Sequence, residues 1–316
     1  MDFNNGASGV TEGNHTLVLY AGNHMDHTSI GFTIYILTIA FIFGTVLGSF
    51  IDCMAWRIVK QESVLTGRSH CDVCGAQLTA GDLIPIISYL KSGGKCSHCG
   101  AKISPESTWV EFLLGLTSVV LVLKFDLSFT ALRYMGLAVI LMGLSLVDLK
   151  TYIIPDRFHV MGIIWWLMTL PLIALTKGQG VTSYFAGEVL EAESISFQTG
   201  TESMSSLELM LQDLKYGFIS AFGIALFMLV LSIVFDKVSG KESLGGGDIK
   251  LLFMTGLYMR PWVSLFNLIL SCIVGLIFVF ILKKEKIPFG PSISLATMIS
   301  ILVGSEFVNW YIGLLF

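Results

Sequence analysis

Residues 30–51 read IGFTIYILTIAFIFGTVLGSFI, 22 residues without a charge. A helix needs about 20 such residues to cross the hydrocarbon of a bilayer. Two further runs behave alike, Tyr216–Phe235 over 20 residues and Trp262–Leu282 over 21. In the whole 316-residue chain 54% of residues are hydrophobic and only 13% are charged, against roughly 25% charged in a soluble domain. The mean hydropathy is +0.77. The chain therefore reads as an all-α polytopic membrane protein embedded in the lipid bilayer. The net charge of −4 is small and no long basic run occurs, so no nucleic-acid partner is expected.

Eight segments are candidate transmembrane helices: about 30–51, 109–124, 128–147, 157–175, 216–235, 245–259, 262–282 and 289–316. The sixth is the weakest, because Asp248–Met259 spans only about 18 Å at 1.5 Å per residue. To cross it must recruit Leu244–Gly247, which places glycines at membrane depth. Irregular backbone is tolerated there only when it is buried in protein or lines a wet cavity. Orientation follows from basic residues near the membrane. With the N-terminus outside, 14 of the 19 Lys and Arg residues fall on inner segments, among them Arg57, Lys150, Lys250 and Lys283–Lys286. The first basic residue is Arg57, so the basic start of a signal peptide is missing.

This orientation divides the chain into an extracytoplasmic tail (1–29), a first transmembrane helix (30–51), a cytosolic insertion (52–108) and a membrane domain (109–316). The membrane domain carries a polar, acidic outer loop over 176–215.

The insertion contains HCDVCGAQLTAGDLIPIISYLKSGGKCSHCG. Cys71 and Cys74 form one C-x-x-C pair and Cys96 and Cys99 another, 21 residues apart and each followed by glycine. That spacing is close to a zinc ribbon. Four thiolates suit tetrahedral Zn²⁺, and a closed Cys₄ shell makes the ion structural. Two disulfides are the alternative, and a reducing cytosol argues against them. Cys53 and Cys272 lie at or in apolar runs and read as small buried hydrophobes.

Two carboxylates fall at inner ends of passes. Asp148 closes the apolar run in LSLVDLKTYIIPD, and Asp248 opens the sixth pass in LGGGDIKLL. Ionisable residues at membrane depth are costly and usually functional. A facing pair can share one proton, which suits water-activated hydrolysis. One carboxylate takes a proton from water while the other, protonated, polarises the scissile carbonyl. Glycines Gly245–Gly247 leave room for an extended peptide to approach. Either Asp alone could equally be an interfacial residue paired with Lys150 or Lys250. Asp156 after Pro155 reads as a helix cap, Asp52 and Arg57 as a pair across one turn, and Glu111 and Glu306 as partners of basic groups or members of a site.

The chain resembles the bacterial type IV prepilin peptidases, GxGD-type aspartyl proteases of the membrane. The resemblance is carried by GTVLGSFIDCMAWR (Gly44–Arg57), the two C-x-x-C pairs around DLIPIISYL, Glu111, DLKTYIIPD, GGGDIKLL and IPFGPSI, in family order over about residues 44–295. It implies a peptidase of the bacterial cytoplasmic membrane that cuts the leader of prepilins or pseudopilins on the cytosolic side. Asp148 and Asp248 would be its catalytic pair, and Gly245, Gly247 and Lys250 its supporting loop. Many members also methylate the new N-terminus with S-adenosylmethionine. The long outer loop and extended tail depart from the family. Two competing classes remain, a transporter or channel with a regulatory metal module, and a non-catalytic assembly scaffold. Loss of turnover on changing either Asp separates a peptidase from both.

Overall fold

The computed structural model describes residues 30–64, 67–175, 206–240, 245–282 and 288–315. The tail, most of the outer loop and the Lys283–Lys286 cluster lie outside them. Nine α-helices occur among the described residues: α1 (Ile30–Val59), α2 (Ile87–Ser92), α3 (Glu106–Phe125), α4 (Phe129–Thr151), α5 (Asp156–Leu175), α6 (Ser206–Ser239), α7 (Gly246–Gly256), α8 (Pro261–Leu282) and α9 (Gly290–Leu315). Seven of them, all but α2 and α7, are long and apolar enough to cross a membrane.

Helix α4 is the axis of the bundle. It packs on α1, α3, α5 and α9, and 78% of its most apolar stretch is buried, against 17% for α1. Its start is capped by Ser128, whose hydroxyl accepts the Ala131 N–H. It ends at Tyr152 in the left-handed conformation, whose N–H returns to the Asp148 carbonyl. Glycines let helices approach closely where backbone meets backbone. A Cβ on Gly44 would lie 2.5 Å from the Leu114 carbonyl, and one on Gly48 2.7 Å from the Glu111 Cα, so α1 and α3 touch along Gly44 and Gly48.

The sixth candidate pass is the short α7, 11 residues or about 16 Å long. It nevertheless runs between the two ends of α4. Asp248 in its first turn faces Asp148 in the last turn of α4, whereas Tyr258, just beyond its end, stacks under the Arg133 guanidinium in the second turn of α4. From Leu251 to Met259 no residue is exposed, because α5, α6, α8 and α9 enclose the helix. Gly245 and Gly246 at its start are exposed, so the glycine segment lies at an open edge of the bundle and not within packed protein.

Intramembrane charges at the Arg133 end are paired. Arg133 Nη1 donates to Asp213 Oδ2 at 2.6 Å, and Lys124 pairs with Glu306. The Asp213 contact exists because the last ten residues read as outer loop, from Ser206 on, are the first turns of α6, with Met210 and Leu214 packed on the core. Cys272, read as buried, is exposed on α8. In a bilayer that surface faces apolar chains, which a thiol tolerates.

Candidate active site

Both C-x-x-C segments fold into the same small knuckle. Cys71 N–H bonds the Ala76 carbonyl and Gly75 N–H returns to Cys71; Cys96, Ala101 and Gly100 repeat the pattern. Gly75 and Gly100 have φ of +71° and +72°, which explains why glycine follows each pair. The four sulfurs lie within 4.8 Å of one another, with Cys71 and Cys99 at 3.9 Å. A Zn–S distance of about 2.3 Å gives a tetrahedron with edges of roughly 3.8 Å, so the four thiols could hold a zinc ion. Backbone N–H groups of Cys74 and Val73 point at the Cys71 sulfur and lower its thiol's pKa, which favours the thiolate form that binds metal.

The module is tied to the membrane helices through Glu111. This buried α3 carboxylate accepts the Ile86 N–H at 2.7 Å. Ile86 has φ of +61°, an outlier for a β-branched residue, and the bond fixes the turn that opens α2. A cavity of about 400 Å³ separates module from helices, lined among others by Asp52, Ser107 and Glu111. Arg57, read as a partner of Asp52, donates to the carbonyls of Ser63, Val64 and Gly67, while Asp52 accepts from Ser107.

Asp148 and Asp248, 100 residues apart in sequence, come close enough for the charge of one to act on the other. Asp148 is 3% exposed, and its charge acts directly on Asp248. Among the described residues neither carboxyl pairs with a cation. The lysines two places on are engaged elsewhere: Lys150 Nζ reaches Glu106 at 2.9 Å and Lys250 Nζ reaches Asp156 at 2.7 Å. Asp156, read as a cap, is thus the anchor of Lys250 and stitches α5 to α7.

Each carboxyl sits at the N-terminal end of a helix, where the macrodipole favours negative charge. Asp248 lies in the first turn of α7. Asp148 Oδ2 accepts the N–H of Gly290, the first residue of α9, at 3.0 Å. Three glycines shape the approach to Asp248. A Cβ on Gly245 would stand 3.4 Å from its Oδ2, and one on Gly247 3.3 Å from Ile154, whereas one on Gly246 would meet no described residue within 4 Å.

Gly290 is a site residue without an assigned role in the sequence reading, although it lies in the IPFGPSI stretch. A Cβ there would fall 2.5 Å from Asp148 Oδ2 and 3.2 Å from Leu144. Gly290→Ala is expected to displace the Asp148 carboxyl and cut turnover about 10- to 100-fold, since small misplacements are that damaging. Metal content and membrane insertion should not change. Unaltered turnover by the purified variant would show that the Gly290–Asp148 contact does not matter.

Fold and site together define a polytopic membrane protein with a paired-carboxylate centre, the equipment of a membrane aspartyl peptidase. Residues 42–125 match the bacterial peptidase A24 N-terminal domain, a stretch with all four cysteines and Glu111. Residues 195–280 match the type IV leader peptidase family and include Asp248. The chain is 30% identical to a type 4 prepilin-like proteins leader peptide-processing enzyme of Escherichia coli O78:H11 (strain H10407 / ETEC), over 85% of this chain and 94% of that one. It is 26% identical to a prepilin leader peptidase/N-methyltransferase of Bacillus subtilis (strain 168), over 87% and 98%. A protein of the same name from Pseudomonas aeruginosa is 29% identical over 77% and 74%. No solved structure matches significantly. The protein belongs to the type IV prepilin leader peptidase family.

Proposed function

We propose that the protein is a membrane aspartyl endopeptidase that removes the leader peptide of type IV prepilins or pseudopilins. The observation that carries this reading is the meeting of Asp148 and Asp248, free of cationic partners among the described residues, beside an open glycine loop. The substrate backbone lies along Gly245 and Gly246. One carboxylate removes a proton from water as the oxygen attacks the scissile carbonyl. The other, protonated, gives its proton to the carbonyl oxygen. On collapse of the tetrahedral intermediate one of its hydroxyls returns a proton to the second acid while the departing amine takes a proton from the first, so the pair ends singly protonated as it began.

In the bacterial cytoplasmic membrane the N-terminus lies outside, and the acid pair and cysteine module face the cytosol, as the distribution of basic residues supports. The module holds one structural Zn²⁺. The relatives' names add N-methylation, for which S-adenosylmethionine would supply the methyl group. The 400 Å³ cavity beside Asp52 has the size for such a ligand, and its carboxylates suit a cationic donor.

Co-expression with a prepilin tests both activities in one measurement of the mature pilin's N-terminal mass. Leader loss is expected, with one added methyl group if the second activity is present. Unprocessed prepilin in cells that accumulate the intact membrane protein would overturn the peptidase reading.

A further inference from the structure

His159 is a buried titratable side chain that the mechanism above does not use. It lies one turn into α5, is 5% exposed, and among the described residues neither ring nitrogen completes a hydrogen bond. Buried polar groups are almost always partnered, and a neutral imidazole always carries one N–H donor. Among the described residues two acceptors face this ring. Asp156 Oδ1 stands 3.9 Å from Nδ1, but it is exposed and already bonded to Lys250. The backbone carbonyl of Gly247 is the other. Lys250 is the cation on the facing helix.

The Gly247 carbonyl belongs to the peptide unit that continues into Asp248. Helical bonding uses one of its lone pairs and leaves the second open. The segment needs such a hold. Gly245 and Gly246 have no side chains to pack, and a Cβ on Gly246 would meet nothing within 4 Å. The remaining stitch between α5 and the first turn of α7, Lys250 to Asp156, is exposed on both sides, where water competes with ion pairs. Ile154 touches Gly247 and fixes its distance from α5, but an apolar contact leaves the peptide free to rotate.

We infer that His159 is a positioning residue whose buried ring N–H holds the Gly247 carbonyl, and through it orients the peptide that carries Asp248. The inference rests on the reading of Asp248 as half of the catalytic pair. It predicts an effect on turnover more than on substrate binding, because a carboxyl moved by about 1 Å costs about a hundredfold in rate.

The test uses the full-length protein in detergent with a synthetic prepilin. His159→Leu, which keeps the volume and removes the donor, should lower kcat about a hundredfold with KM unchanged and metal content intact. Amide hydrogen exchange over Gly246–Lys250 should quicken. Either His159→Asn or His159→Gln, whichever carries an amide N–H to the place of the donating nitrogen, should restore most of the rate and slow exchange again. Wild-type kcat in His159→Leu, or a loss that neither amide variant restores, would overturn the inference and leave His159 as packing. If the wild-type protein cuts no leader, the peptidase reading fails instead. The exchange measurement still decides the inference, which is lost if His159→Leu leaves Gly246–Lys250 unchanged.

Discussion

Asp148→Asn and Asp248→Asn should each abolish leader cleavage, by about 10⁴-fold or more, while the protein still inserts and keeps its metal. The hydrolytic step needs one ionised and one protonated carboxyl, and an amide can fill neither role. Members of one catalytic unit are strongly non-additive, so the double variant should be hardly slower than either single one. Stability should move the other way. The charge on Asp148 acts on Asp248 with no cation beside either among the described residues, so removing one acid relieves repulsion and Tm should hold or rise. The intact enzyme should show a bell-shaped pH profile with apparent constants that belong to the pair. Near-normal cleavage by either Asn variant would make the acids interfacial residues and refute the mechanism.

The second large effect is on the metal module. Purified protein should carry about one Zn²⁺ per chain, lost on changing Cys71, Cys74, Cys96 or Cys99 to Ser. Apparent binding free energies of structural zinc are of order 10 kcal/mol and enter folding directly. Among the described residues the module has little regular structure of its own: two isolated bridges, His70 with Gln77 and Lys95 with Lys102, the short helix α2 and a 3₁₀ turn over Ala80–Leu83. Loss of the ion should therefore open residues 67–104 to protease while α3 to α9 keep their helicity. A metal-free preparation with free thiols and full resistance would remove zinc from the account.

Much of this architecture was legible because its signals are local. Apolar runs placed the seven long helices, and spacing with trailing glycines placed the four cysteines and their knuckles. Asp148 and Asp248 could be named as pass-end acids, yet nothing in their spacing brings them together; that depends on α5 and α9, which pack on both α4 and α7. The alternative that paired Asp148 and Asp248 with the lysines two places on does not match the contacts. Residues two apart on a helix do not face each other, so Lys150 and Lys250 reach across to Glu106 and Asp156. Gly290 could not be assigned, since its contact with Asp148 closes over 142 residues. His159 carried no signal at all, because a lone histidine near a helix start says nothing about the carbonyl it will meet.

The short helix α7 also bears on how the protein is made. A segment of 11 residues that carries Asp248 and Lys250 is too short and too polar to partition into lipid by itself as it leaves the ribosome. It must wait at the interface until α8 and α9, which help to enclose it, have been synthesised. Asp248 can then reach Asp148 only at the close of biogenesis. A nascent chain would carry its cysteine module early and its proteolytic competence last, which keeps an unfinished peptidase from cutting anything on the way.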